Sequence, residues 1–150
     1  MRTYRTLYLE EATPLLSPFP GVREALAQIH AAGIRCAVVS NKGVAAIRQS
    51  LDEGGLGSFV DLIYGDEAGR PKKPDPAVLS DHILPKFAQL QKDRFLMVGD
   101  TETDILFAKR SGIAACWVSY GYGDIDRCRK LGAEYEIASI AELPALVQSG

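Results

Sequence analysis

The sequence predicts an α/β protein built on a parallel sheet with helices on both sides. Three observations carry that prediction. Apolar runs of strand length alternate with amphipathic stretches of helix length, a pattern that implies a parallel sheet joined by crossovers. Phe95-Leu96-Met97-Val98 is short and wholly apolar, as a buried strand or a helix fragment is, and Gly99 after it allows a sharp turn. Polar residues then cluster where such runs end, at Ser40-Asn41 and at Asp100, and the carboxyl edge of an open α/β sheet is where ligands bind.

The elements follow in order. In residues 1–13, Tyr4, Leu7 and Tyr8 share one helical face, so a helix is expected there. Thr13 to Pro20 holds three prolines and reads as a linker at 14–20. Gly21 opens a helix with Val22, Ala25, Leu26 and Ile29 on one face, and Gly33 closes it. Ile34 to Val39 is the first clear strand, ending in Ser40-Asn41-Lys42. A helix from Val44 to Leu51 stops at Gly54-Gly55, and Phe59 to Tyr64 is a second strand, marked as an edge strand by Asp61. After a polar loop, Ala77 to Gln91 is helical, with Pro85 kinking or dividing it. The Phe95 strand follows, then a helix capped by Thr101 or Thr103 and closed at Gly112. A strand at Ala114 to Val118, a short helix at Ile125 to Leu131, a brief strand at Tyr135 to Ile137 and a helix at Ala141 to Val147 complete the chain.

A length of 150 residues fits one domain with a real core. The net charge of −2 leaves no basic footprint, so nucleic acid is not an expected partner. No apolar run approaches a membrane span, and the residues after Met1 lead into polar sequence rather than the apolar core of a signal peptide. Cys36, Cys116 and Cys128 are widely spaced with no CxxC; Cys36 and Cys116 read as buried thiols, and a reducing cytoplasm is expected.

Three strand-end features carry chemistry. Asp100 and Asp104 stand four apart, and hard carboxylate oxygens at a sheet edge suit a divalent cation such as magnesium. On this stretch alone, a helix cap at Asp100 and a dipole-complementing charge at Asp104 explain the pattern equally well. Read singly, Ser40 is a turn residue and Lys72-Lys73 a solvated loop. Together the hydroxyl, the lysine pair framed by Pro71 and Pro74, and the carboxylates suit phosphoryl chemistry.

In this order the motifs resemble those of the haloacid dehalogenase-like hydrolase superfamily, and in particular its phosphoglycolate phosphatase-like members. Val38-Val39-Ser40-Asn41-Lys42 resembles the second motif, Lys73-Pro74-Asp75-Pro76 the third, and Val98-Gly99-Asp100 with Asp104 the fourth. The resemblance covers roughly residues 13 to 147, and Trp117 to Gly123 also looks like the phosphoglycolate phosphatase branch. It implies a three-layer Rossmann-like core over residues 21–150 and a cytoplasmic, Mg2+-dependent phosphatase acting on a small phosphorylated metabolite. It implies that Ser40 binds the transferring phosphoryl group with Asn41, that Lys73 stabilises its charge, and that Asp100 and Asp104 serve the metal, Asp104 by hydrogen bonding.

One motif is missing. The superfamily's nucleophile lies in a DxDxT or DxDxS motif at the end of its first strand, well upstream of the position of Ser40. Residues 1–39 contain no Asp, and the only DxD, Asp124-Ile125-Asp126, follows a glycine-rich turn and reads as a helix start. By resemblance, the chain lacks the central strand and most of the helical cap domain, of which residues 1–13 are a remnant. The expectation is an N-terminally truncated member, inactive as it stands because covalent catalysis needs a nucleophile. Two other readings compete: a non-catalytic phosphate- or metal-binding or assembly module, and an oligomer in which a partner chain supplies the missing strand. A response-regulator-like acceptor fits poorly, because no Asp ends the Ile34 strand. Tyr4, Tyr8, Tyr120 and Tyr122 are candidates for lining a pocket, whereas His30 and His82 have no metal-like spacing and receive no role.

Overall fold

The computed structural model of the chain describes residues 6–10, 21–87 and 91–148. Its strands are β1 (Thr6–Glu10), β2 (Arg35–Gly43), β3 (Leu62–Asp66), β4 (Phe95–Gly99), β5 (Ala114–Val118) and β6 (Tyr135–Ile137). They form one six-stranded sheet in the order β3-β2-β1-β4-β5-β6, and every pairing is parallel. The helices are α1 (Val22–Ala31), α2 (Val44–Glu53), α3 (Glu102–Ser111), α4 (Ile125–Leu131) and α5 (Leu143–Gln148). The expected parallel α/β architecture is therefore present.

The three layers follow from the alternation of side chains along the strands. Cys36, Val38, Leu96, Val98, Cys116 and Val118 face one core, closed by Leu26 and Ile29 of α1, Ile47 and Leu51 of α2, and Leu143 and Val147 of α5. Ala37, Val39, Phe95, Met97 and Ala115 face the other, closed by Val78 to Phe87 and by Phe107 and Ala108 of α3. The face expected for α1 is the one it buries: Val22, Ala25, Leu26 and Ile29. Its start is set by Gly21, whose φ of 98° lies in the left-handed region that suits glycine.

The centre of the sheet corrects the sequence reading. A helix was expected across residues 1–13 and an empty slot beside Ser40 and Asp100. Instead Thr6–Glu10 is a strand that fills that slot. It pairs with β2 from Thr6↔Arg35 to Glu10↔Val39 and with β4 from Thr6↔Phe95 to Leu9↔Val98. The spacing of Tyr4, Leu7 and Tyr8 fits either state in so short a run, so periodicity does not separate them. Pairing does: without β1, the facing edges of β2 and β4 would each bury a row of unmade backbone hydrogen bonds. The slot expected to be empty is thus occupied by Thr6–Glu10 of this chain. The linker expected at 14–20 and the remainder of 1–13 lie outside the described residues.

Other differences are local. Residues 78–87 are a π-helical turn (Val78–Ile83) followed by a 3-10 turn (Leu84–Phe87), so Pro85 divides the segment as expected. β3 is an edge strand, and Asp61 before it accepts the Cys36 N–H at 2.9 Å while its own N–H donates to the Cys36 carbonyl at 2.8 Å. β2 runs on past Val39, but its register with β3 breaks between Val39 and Gly43, so Ser40-Asn41-Lys42 bulges at the strand end. Asp124 caps α4 by accepting the Arg127 N–H at 2.8 Å, as the helix-start reading of the DxD expected. Among the described residues, no helix is long and apolar enough to cross a membrane.

Candidate phosphate and metal site

In a parallel sheet of this order, the connections run to opposite faces on either side of the β1–β4 pair, and a crevice opens there at the carboxyl ends. Asp100 follows β4 directly. Its backbone and side chain are fixed by three donors. The Trp117 indole N–H and the Gly123 N–H both reach its carbonyl at 3.1 Å, and the Tyr122 N–H reaches Oδ2 at 2.8 Å. Asp100 is only 1% exposed, and its Oδ1 is buried with no hydrogen-bond partner. Burial is the main cause that pushes its pKa up, opposed by the Tyr122 N–H and reinforced by the nearby Asp104.

Asp104 sits in the first turn of α3, equally buried at 1% exposure. Its Oδ2 accepts the backbone N–H groups of Asp100 and Thr101, both at 3.1 Å, and the Thr101 hydroxyl at 3.0 Å. Its Oδ1 accepts Lys73 Nζ at 2.8 Å. Asp104 therefore ties the start of α3 to the end of β4 and holds Lys73. Its oxygens are committed to protein donors, so its place in the site is that of a support. Gly99 makes this approach feasible, because a β-carbon there would land on the Asp104 side chain.

The two lysines of the loop have different fates. Lys72 is exposed and pairs with Asp66 at 3.3 Å, a solvated contact worth at most about 1 kcal/mol. Lys73 is 6% exposed and spans from its loop to Asp104. Such a buried pair is costly to break: removal of one partner leaves an uncompensated charge at about 3–5 kcal/mol. The loop is pinned from both sides. The Tyr64 hydroxyl donates to the Pro71 carbonyl at 2.6 Å, and Asn41 Nδ2 donates to the Lys73 carbonyl at 3.4 Å. Ser40, 2% exposed, accepts the Lys42 N–H at 3.1 Å.

The structure thus links Asn41 to Lys73, Lys73 to Asp104 and Asp104 to Asp100 by direct hydrogen bonds, with Ser40 beside Asn41 in the same bulge. Sequence reasoning overlooked the residues that hold Asp100. Trp117 to Gly123 read as a stretch resembling the phosphoglycolate phosphatase branch and Tyr122 as a pocket-lining candidate, with no contact to Asp100 assigned to either. The visible signal was Gly121 and Gly123: a β-carbon at either would collide with Asp100, so both allow the loop to lie against it.

The donor set bears on a cation. Mg2+ takes oxygen ligands and characteristically uses one or two carboxylates together with water and substrate phosphate. A buried carboxylate oxygen with no partner, at a crevice shared with a lysine and a hydroxyl, suits that requirement. Among the described residues no three His, Cys, Asp or Glu side chains converge as a metal-holding group, and of the two carboxylates it is Asp100 that keeps an oxygen without a protein partner.

Comparison with known proteins agrees with this geometry. A family model described as haloacid dehalogenase-like hydrolase matches residues 1–118. A phosphoglycolate phosphatase of Pseudomonas fluorescens is 32% identical over 98% of this chain and 52% of its own length. One from Vibrio parahaemolyticus is 33% identical over 93% of this chain and 60% of its own. The chain spans about half the length of the curated relatives it matches. A crystal structure of a predicted phosphoglycolate phosphatase from Haemophilus somnus superposes with a TM-score of 0.80 at 27% identity, covering 87% of this chain and 57% of that one. The core domain of a Streptococcus pneumoniae protein, solved by NMR, covers 97% of this chain and 96% of its own, with a TM-score of 0.72 at 25% identity. Parallel sheet, linked strand-end motifs and matched relatives converge: the chain belongs to the haloacid dehalogenase-like hydrolase family, in its phosphoglycolate phosphatase-like branch.

Proposed function

We propose that this chain carries the phosphate- and cation-holding part of a Mg2+-dependent phosphoric monoester hydrolase acting on a small phosphorylated metabolite of the phosphoglycolate class, in the cytoplasm. The observation that carries the proposal is the buried Lys73–Asp104–Asp100 linkage, in which one oxygen of Asp100 has no protein partner. Asp100 holds the cation, which when bound neutralises phosphate charge and polarises the ester. Asp104 keeps Asp100 and Lys73 in place. The Lys73 ammonium offsets charge on the phosphoryl oxygens, and Ser40 and Asn41 bind those oxygens at the β2 bulge.

We further propose that the chain as it stands does not turn esters over. Residues 1–39 contain no Asp, and the central strand ends at Glu10 without a DxD motif. The test is turnover of phosphoglycolate and of an aryl phosphate with Mg2+, beside thermal unfolding with the same ligands, on wild type and D100A. The expected result is no turnover above D100A, with a rise in the wild-type midpoint that D100A lacks. Turnover lost in D100A would show that the chain supplies its own nucleophile. No midpoint rise would remove the phosphate site.

A further inference from the structure

The Asp100 carboxylate has one oxygen, Oδ2, on the Tyr122 N–H and the other, Oδ1, buried without a partner. The last torsion of an aspartate is broad and nearly two-fold, so the side chain does not itself choose which way each oxygen faces. The choice is made from outside, by whatever fixes the Tyr122 N–H.

Three successive amides fix it. The Tyr122 N–H donates to Asp100 Oδ2 at 2.8 Å, the Gly123 N–H to the Asp100 carbonyl at 3.1 Å, and the Asp124 N–H to Glu102 Oε1 at 3.1 Å. Residues 122–124 thus lie in register along 100–102. Upstream, this run is tied to the body of the molecule through residues 119 and 120. The Ser119 N–H donates to the Ile137 carbonyl at 3.0 Å, and Tyr120 packs against the core closed by α1, α2 and α5. Downstream, the tie passes through Glu102. The oxygen that holds the Asp124 N–H also accepts the Cys128 S–H at 3.5 Å, and Cys128 is buried in a cluster with Ile105 of α3 and Trp117 of β5.

Glu102 is the first residue of α3, and the helix dipole favours an acid there. A dipole does not ask for contact with Asp124 or Cys128. Neither helix needs those bonds for its own start: α3 has a capping box from Thr101 and Asp104, and Asp124 caps α4 on the Arg127 N–H. What the Glu102 carboxylate adds is a join between the starts of α3 and α4, two residues from Asp100.

We propose that Glu102 is a positioning residue for the cation site. By holding the Asp124 amide it sets the register of the amides at 122 and 123, and so the rotation of Asp100 that leaves Oδ1 for a divalent cation. The cation takes Oδ1 with the Tyr122 N–H still on Oδ2. This rests on the assignment of Asp100 as cation-holding, and it requires Glu102 as a hydrogen-bond acceptor rather than as a charge.

The test compares wild type, E102A and E102Q by residue-resolved amide exchange without Mg2+ and by calorimetric titration of Mg2+. Glutamine keeps an acceptor oxygen and removes the charge. The Met97 and Cys116 amides report opening of the sheet, and the Tyr122 and Gly123 rates are read as a ratio to them, which a general loss of stability does not move. In E102A that ratio should rise about fivefold or more and the Mg2+ Kd about threefold or more, while E102Q stays within about twofold of wild type in both. An unchanged ratio in E102A overturns the positioning role, whatever the affinity does. Equal weakening of Mg2+ binding in E102A and E102Q, with the ratio kept in E102Q, also overturns it, because the Glu102 charge then acts on the cation directly. Absence of Mg2+ binding to wild type overturns the assignment of Asp100 and the cation part of this role with it, while the exchange ratio still decides whether Glu102 holds the amides.

Discussion

At the scale of single residues, Asp100 is the position where stability and chemistry oppose each other. Its burial disfavours the ionised form, so its folded pKa lies above the unfolded one. A raised pKa contributes stability that is complete below the unfolded value and is lost as pH rises through the folded value. The ligand-free wild type should therefore lose stability relative to D100N as pH climbs from the ordinary carboxylate range towards neutrality. At neutral pH, without Mg2+, D100N should be the more stable protein, because it removes the charge that burial disfavours while keeping the side chain's shape. Denaturant midpoints of the two proteins across this range check the sign; a wild type more stable than D100N at neutral pH contradicts it. The residue types at the site were legible in the sequence because a hydroxyl, a lysine and two carboxylates at strand ends are an unusual set. Which lysine enters the site was legible only through the resemblance, which pointed to Lys73, and not from residue chemistry. Lys72 and Lys73 are chemically alike, and only the pinning of their loop by Tyr64 and Asn41 turns one outward and the other towards Asp104. The cysteines are inert structural thiols: burial raises Cys36, Cys116 and Cys128 to about 12.

At the scale of elements, helices with a full amphipathic face were readable and the central strand was not. α1 buries four residues at helical spacing, and no strand pattern fits them. Thr6–Glu10 is five residues long, and its assignment depends on partners that are distant in sequence: β2 begins at Arg35 and β4 at Phe95. Local pattern cannot report such pairing. The central placement has a consequence for exchange and for mutation. The amides of Leu7, Tyr8 and Leu9 should exchange only through global unfolding, as central strand amides do. Tyr8→Pro, which removes a ladder donor between two strands, should cost about 3 kcal/mol or more. Rapid exchange at Leu7 to Leu9 in an otherwise protected sheet would contradict their place as the central strand. The 78–87 segment illustrates the opposite case: its apolar residues were read correctly as core, but Pro85 and packing on the sheet set a π turn and a 3-10 turn in place of one helix.

At the scale of the whole molecule, the sheet order places every strand-end motif at one crevice. Asp100 arrives on β4, Ser40 and Asn41 on β2, and Lys73 on the loop after the edge strand β3, with β1 between the first two. The chain-distant contacts Asn41 to Lys73 and Lys73 to Asp104 then join motifs 32 and 31 residues apart. The fold therefore brings the proposed cation-holding carboxylate and the proposed phosphate-binding groups to one crevice. Calorimetric titration of Mg2+ into wild type and D100N, in the presence of orthophosphate, tests that proposal most directly. A single saturable Mg2+ site is expected in wild type and none in D100N. Equal binding by the two proteins, or no binding by wild type, would contradict it.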